Sequence, residues 1–171
     1  MRGRAQDVEA LDRGGRGKMI IKAISLWQPW ATLMALKEKR FETRSWMTPH
    51  RGPLAIHATQ RFPKEAQALC LQEPFKSVLE RHGYTSPMEL PRGAILAVGS
   101  LVRIDSTYAI RQAKFIGPNE LAFGDYADGR YAWQVVDVEK LAAPIAVRGR
   151  QGLWNWEIPE SLEIWWSSTI Y

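Results

Sequence analysis

A chain of 171 residues, 46% hydrophobic and 24% charged, is long enough to bury one core and too ordinary in composition for a disordered or fibrous protein. One cysteine, Cys70, excludes an internal disulfide and a cysteine-based zinc site, and no apolar run approaches the length of a membrane-spanning helix. The net charge of +5 permits a nucleic-acid partner without demanding one, and the cysteine usage suits a reducing, cytoplasmic location.

Residues 1–18 hold five Lys/Arg and three Asp/Glu and lack sustained apolar periodicity. They are expected to form a flexible N-terminal arm whose deletion leaves thermal stability nearly unchanged. No apolar stretch precedes a cleavage site there, so the arm does not read as a secretory signal. A single domain is expected over residues 19–158, with a C-terminal tail over 159–171.

Ile20 to Leu26 reads as a buried strand, stopped by Trp27-Gln28-Pro29. Pro29 presets a first helical turn, and Trp30 to Leu36 continues as a short amphipathic helix. Ser25 and Gln28 lie near the start of that helix, where unpaired N–H groups make a candidate anion site.

The segment from Glu38 to Gly52 concentrates Lys39, Arg40, Glu42, Arg44, Trp46, His50 and Arg51. Alternation puts Glu42, Arg44 and Trp46 on one strand face and Phe41, Thr43 and Ser45 on the other. Lys39 joins Glu42 and Arg44 only if the strand begins after it. The set suits a planar, polar, anionic ligand: Lys39 as a mobile point charge, Arg44 as a planar fork, Trp46 or Trp30 for stacking and Glu42 for a base-edge donor. For any one of these residues, a solvated strand face is the plainer explanation.

Pro53 to Ala58 reads as the next strand, antiparallel to residues 40–46 through the Thr48–Gly52 connection. His57 on it reads more readily as a satisfied buried histidine than as a catalyst. His50, His57 and His82 show no close metal-ligand spacing, and neither a metal nor a cofactor is expected. Pro63 to His82 is mostly helical, interrupted at Pro74 and ended by Gly83, with Cys70 in helix packing.

Gly93 to Asp105 is a long strand with a bend or bulge at Gly99. Asp105 or Ser106 caps a short helix through Lys114, and Pro118 to Gly129 reads as a polar loop. Arg130 to Leu141 is a strand, Pro144 to Arg150 an extended piece, and Gln151 to Trp156 a turn or short helix. Arg148 and Arg150 are candidates for phosphate contacts at the rim of a cleft. Of eight tryptophans, Trp133 belongs to the core, and Trp165 and Trp166 are docked or exposed. Trp27, Trp30, Trp46, Trp154 and Trp156 sit beside turns and polar residues, where stacking surfaces are found. The count gives an α+β protein: a small closed or half-closed β-barrel of about five to six mostly antiparallel strands with two or three inserted helices.

Ser25-Leu26-Trp27-Gln28-Pro29-Trp30-Ala31, then Lys39-x-x-Glu42-x-Arg44-Ser45-Trp46, then Thr48-Pro49-His50-Arg51-Gly52, resembles the ASCH domain family over about residues 20–157. The resemblance implies a PUA-like β-barrel with a cleft beside its early helix. The family pattern runs Gly-x-Lys-x-x-Glu-x-Arg. Lys39, Glu42 and Arg44 match it, while Lys37 occupies the Gly position, where a left-handed helix end is usual.

By resemblance, the function is nucleic-acid recognition, with RNA or another single strand as partner, tied to translation or transcription regulation. The corresponding binding set is Ser25, Trp27, Gln28, Trp30, Lys39, Glu42, Arg44, Trp46, His50, Arg51, His57, Arg148 and Arg150. Similarity in fold to small amidohydrolases of acetylated cytidine, and to members linked to RNA cleavage, supplies the alternative of a hydrolase built on Lys39, Glu42 and Arg44. Those amidohydrolases carry a Thr three residues after the Lys. Here that position is Glu42, so the nucleophilic hydroxyl is missing, although Thr43 is adjacent. A protein-interaction barrel is the remaining reading.

Overall fold

The computed structural model describes residues 10–11, 17–114 and 116–162. Most of the expected arm, most of the expected tail, Trp165 and Trp166 lie outside them. Two short strands, β1 (Ala10–Leu11) and β2 (Gly17–Lys18), pair antiparallel. The body is a curled mixed sheet of β3 (Ile20–Leu26), β4 (Phe41–Arg44), β5 (Gly52–Ala58), β6 (Ala94–Ser106), β7 (Tyr131–Ala146) and β8 (Leu153–Glu157), in the order β4-β7-β6-β5-β3-β8. Only β3 and β5 run parallel. This is the expected α+β half-barrel, with β4 and β8 as its edges.

The strand after the charged segment does not pair with it. β4 lies against β7, with Glu42 opposite Trp133, whereas β5 sits between β3 and β6. The reason is burial. Leu54, Ala55, Ile56, His57 and Ala58 are all buried, so β5 has no solvent face and belongs in the sheet centre. β4 is short and alternates buried with half-buried residues, which suits an edge. The hairpin expected through residues 48–52 is therefore replaced by a connection that crosses to another part of the sheet.

Helix α1 (Trp30–Ala35) fills the curl. Its Ala31, Met34 and Ala35 share a core with Ile24, Leu54, Ile56, Leu96 and Trp133. Opposite residues of β3 and β5, Ala23 and Ala55, join Trp154 and Trp156 of β8 in a second core. Helices α2 (Lys64–Leu69) and α3 (Phe75–Arg81), parted at Pro74 as expected, pack Phe75, Val78 and Leu79 with Leu33 of α1. Cys70 is buried among them, and burial pushes its thiol up to about 11. The bulge expected at Gly99 is present: the β6–β7 register shifts there, and a Cβ would meet Val135, Val138 and the Val136 carbonyl.

Ser106 caps α4 (Thr107–Ala113) by accepting from the Ala109 N–H at 3.1 Å. Three further expectations fail. The polar loop after Gly117 contains α5 (Pro118–Ala122), β7 runs five residues past Leu141, and Gln151–Trp156 enters strand β8 rather than a helix. In β8 the buried Trp154 and Trp156 alternate with the exposed Asn155 and Glu157.

Lys37 ends α1 with φ at 63°, the conformation that Gly supplies in the family pattern. The Glu38 N–H reaches back to the Leu33 carbonyl at 3.0 Å, which closes the helix end. A left-handed Lys costs roughly 1–2 kcal/mol, and its exposed ion pair with Glu139 at 3.5 Å offsets little of that. Allowing for the greater unfolded-state freedom of Gly, Lys37→Gly should gain about 0.5–1 kcal/mol. A calorimetric melting temperature at or below the parent's would contradict this.

Candidate functional site

Where β3 ends, Trp27, the start of α1, strand β4 and the segment after α5 enclose a cleft of about 580 Å³. Leu26, Trp27, Trp30, Leu69, Phe75 and Phe123 give it apolar walls, and Lys39, Glu42, Arg44, Asp125 and Arg130 give it charge. Trp27, at the rim, is 45% exposed. The Arg61 guanidinium lies 5.6 Å from the centre of its ring. Trp30 is half-buried and meets Phe75 edge-on.

The strand begins at Phe41, so Lys39 stays in the turn and converges with Glu42 and Arg44. Glu42 Oε1 accepts from Arg44 Nε at 2.9 Å, and its Oε2 is 3.8 Å from Lys39 Nζ. Arg44 also donates through Nη2 to the Ser25 carbonyl at 2.9 Å. Much of its planar fork is therefore already used within the protein.

Lys39 is not the mobile point charge expected of it. Its side chain is 1% exposed, and Nζ donates to the Phe41 carbonyl. Burial holds its pKa below the ordinary lysine value, against the opposing pull of Glu42 and Glu120. Lys37 does not lie beside this cleft either. It borders a second hollow with Lys39, Arg40, Asp137 and Glu139.

Glu120 escaped the sequence reading. It is 5% exposed and accepts from the Arg40 N–H at 3.1 Å and the Phe41 N–H at 3.0 Å, which pins the start of β4. The available signal was Gly117-Pro118, a helix start that delivers an acid in the first turn. Asp125 and Arg130 complete that wall: Thr43 Oγ1 accepts from the Asp125 N–H, and Arg130 Nη2 donates to the Thr43 carbonyl.

The other candidates disperse. Gln28 is buried and bonded at both ends of its amide, donating to the Pro91 carbonyl and accepting from the Thr32 N–H at 3.0 Å. The N–H groups of Ala31 and Leu33 go to the Trp27 and Pro29 carbonyls, so this short helix start offers no anion site. Trp46 turns inward onto Trp133, and its carbonyl accepts from the Trp133 indole. Trp154 and Trp156 are core residues. His50 and Arg51 precede β5 and bond locally. They lie at the far end of that strand from His57, roughly 20 Å away at about 3.3 Å per residue. Arg148 and Arg150 are exposed, on either side of Gly149, which sits tight against His57 and Ser25.

Ser25 and His57 form a closed network behind the cleft. His57 Nε2 lies 2.8 Å from the Val147 carbonyl, which fixes the proton there and leaves Nδ1 to accept from Ser25 Oγ at 3.1 Å. Ser25 Oγ in turn accepts from the Trp154 indole at 3.1 Å. Burial holds the His57 pKa below its ordinary value, the Val147 bond opposing. The sign follows from linkage: as pH falls through 6.5, the unfolded chain takes up a proton that the folded one refuses. Stability should therefore decline between pH 7 and 5, and His57→Asn should reduce that decline in urea titrations at each pH. An equal decline in both proteins would exclude His57 as its source.

Among the described residues, no group of three or more His, Cys, Asp or Glu is arranged to hold a metal, and no helix is long and apolar enough to cross a membrane.

The ASCH domain family model matches residues 24–145. Activating signal cointegrator 1 of Homo sapiens is 28% identical over 132 residues, covering 77% of this chain and 22% of that protein. Its Mus musculus counterpart is 38% identical over 79 residues, covering 46% of this chain and 13% of that protein. The chain thus spans about a fifth or less of these relatives. Among solved structures, an ASCH protein from Zymomonas mobilis is similar at 14% identity and a TM-score of 0.47, covering 86% of this chain and 93% of that one.

Proposed function

Because this chain belongs to the ASCH domain family, we propose that its cleft binds single-stranded RNA, seating one base between aromatic walls above the Glu42–Arg44 pair. One observation carries this reading: a 580 Å³ cleft with Trp27 exposed at its mouth and a convergent Lys39–Glu42–Arg44 floor. Aromatic walls accept the face of any base, and a carboxylate beside a guanidinium offers an acceptor and a donor to its edge. Arg44 and Glu42 are held in place by each other and by the Ser25 carbonyl, so the floor loses little entropy when a ligand arrives.

A buried lysine whose burial favours the neutral amine, beside a carboxylate, also suits proton transfer. This is the observation behind the second reading, a hydrolase on RNA or a modified nucleoside. Incubation with labelled single-stranded RNA separates the two. A binder retards the strand and returns it intact, and Glu42→Gln should keep its affinity within about threefold, because the amide retains shape and an acceptor. A hydrolase shortens or alters the RNA and loses about 10²–10⁴ in rate with Glu42→Gln. Parent protein that neither retards nor alters RNA would refute the binder and the RNA hydrolase, and a modified nucleoside left unaltered in a parallel incubation would refute the rest of the second reading.

A further inference from the structure

The cations in and around the cleft fall into two groups. Inside the cleft the cations are matched: Lys39 and Arg44 share Glu42, and Arg130 faces Asp125 at 3.3 Å. A phosphate entering there competes with carboxylates already in place. Outside it, Arg61, Arg92, Arg148 and Arg150 are exposed, and none makes an ion pair among the described residues.

These four arginines come from three stretches far apart in sequence, yet the backbone brings those stretches to one end of the sheet. The Thr59 N–H donates to the Leu26 carbonyl at 2.9 Å, and the Gln28 side chain donates to the Pro91 carbonyl at 2.6 Å. The Val147 N–H donates to the Gly93 carbonyl at 3.1 Å. A Cβ on Gly149 would lie 2.7 Å from Ser25 Oγ. The segments carrying Arg61, Arg92, Arg148 and Arg150 therefore surround the end of β3, from which Trp27 projects at the mouth of the cleft. Arg61 already lies over its ring.

Resting on the RNA-binding reading, we propose that Arg61, Arg92, Arg148 and Arg150 form a collar for the phosphates of a single strand whose base enters the cleft. The ligand class is then an oligonucleotide rather than a mononucleotide. The base goes in uncharged, and the backbone stays outside on cations that give up only water and counterions to receive it.

The test measures fluorescence anisotropy of a dye-labelled single-stranded RNA oligonucleotide across a salt series, with nucleosides titrated in parallel by tryptophan fluorescence. The parent should show a slope of log affinity against log salt of about −2 to −3, at about −0.7 for each phosphate contacted. With Arg61, Arg92, Arg148 and Arg150 all replaced by Ala, the slope should flatten towards zero, and low-salt affinity should fall about tenfold or more. Nucleoside binding should stay at the parent level. Replacing the same four with Lys should restore most of the slope, which separates lost charge from a damaged fold. An unchanged slope in the Ala variant overturns the collar and leaves the RNA reading standing. An equal loss of nucleoside binding also overturns it, since the collar would then be part of the cleft. Absence of oligonucleotide binding by the parent overturns the collar and the RNA reading together.

Discussion

Trp27→Ala should lose about 1–3 kcal/mol of single-stranded RNA affinity, roughly 5- to 150-fold, the usual worth of one base stacked on an aromatic ring. The same change should move stability by no more than about 0.5 kcal/mol, as at other exposed positions. Trp27 is the right indole to remove because 45% of it faces solvent, and its recorded ring contact is the Arg61 guanidinium. Trp30→Ala is a poorer probe, since that ring packs on Phe75 within the helical core. Trp154→Ala would open the second core and leave Ser25 without a donor. Titration of Trp27→Ala with labelled RNA and a parallel melt read both numbers. Parent-like affinity would remove Trp27 from the site.

The largest stability effect outside the apolar core is expected at Glu120. Its carboxylate accepts the N–H groups of Arg40 and Phe41, and it is one of two acids whose charge favours the ammonium of buried Lys39. Glu120→Ala leaves the buried Phe41 donor without its acceptor and removes one of the two carboxylates that favour the charged form of Lys39. The expected cost is about 2–4 kcal/mol, the scale of losing hydrogen bonds from two backbone donors to a buried carboxylate. For a domain of this size that lowers the melting temperature by roughly 10 °C. Glu120→Gln keeps one acceptor oxygen and should cost less. A loss under about 1 kcal/mol from Glu120→Ala would mean that water reaches these groups and that Glu120 does not pin β4.

How far the sequence could be read depends on the range of the interaction involved. Ile20–Leu26, the Pro74 break, the Gly99 bulge and the Ser106 cap are written in local patterns, and each appears where that pattern predicts. The convergence of Lys39, Glu42 and Arg44 was legible too, because it needs only a strand that starts two residues after Lys39. Strand order was not legible. Nothing between Arg44 and Gly52 says that β4 crosses to β7, since that follows from β5 having both faces buried by distant strands. Tryptophans misled for the same reason: residues beside turns in sequence, such as Trp154, can be the core of an edge strand in space. The alternation of Leu153 to Glu157 and the Pro118 start were local signals that went unused. Gln28 and Lys39 show a further limit, because a polar residue in a binding-like pattern can be consumed by internal hydrogen bonds that only the fold reveals.

The seating of a base at the mouth of the cleft is tested most directly by the ¹⁵N–¹H spectrum of the indole groups during titration with single-stranded RNA. The Trp27 indole signal should move most and Trp30 less. Those of Trp133 and Trp154, donors to the Trp46 carbonyl and Ser25 Oγ, should stay in place. Movement of the Trp154 signal while Trp27 stays still, or no movement at saturating RNA, would contradict the account.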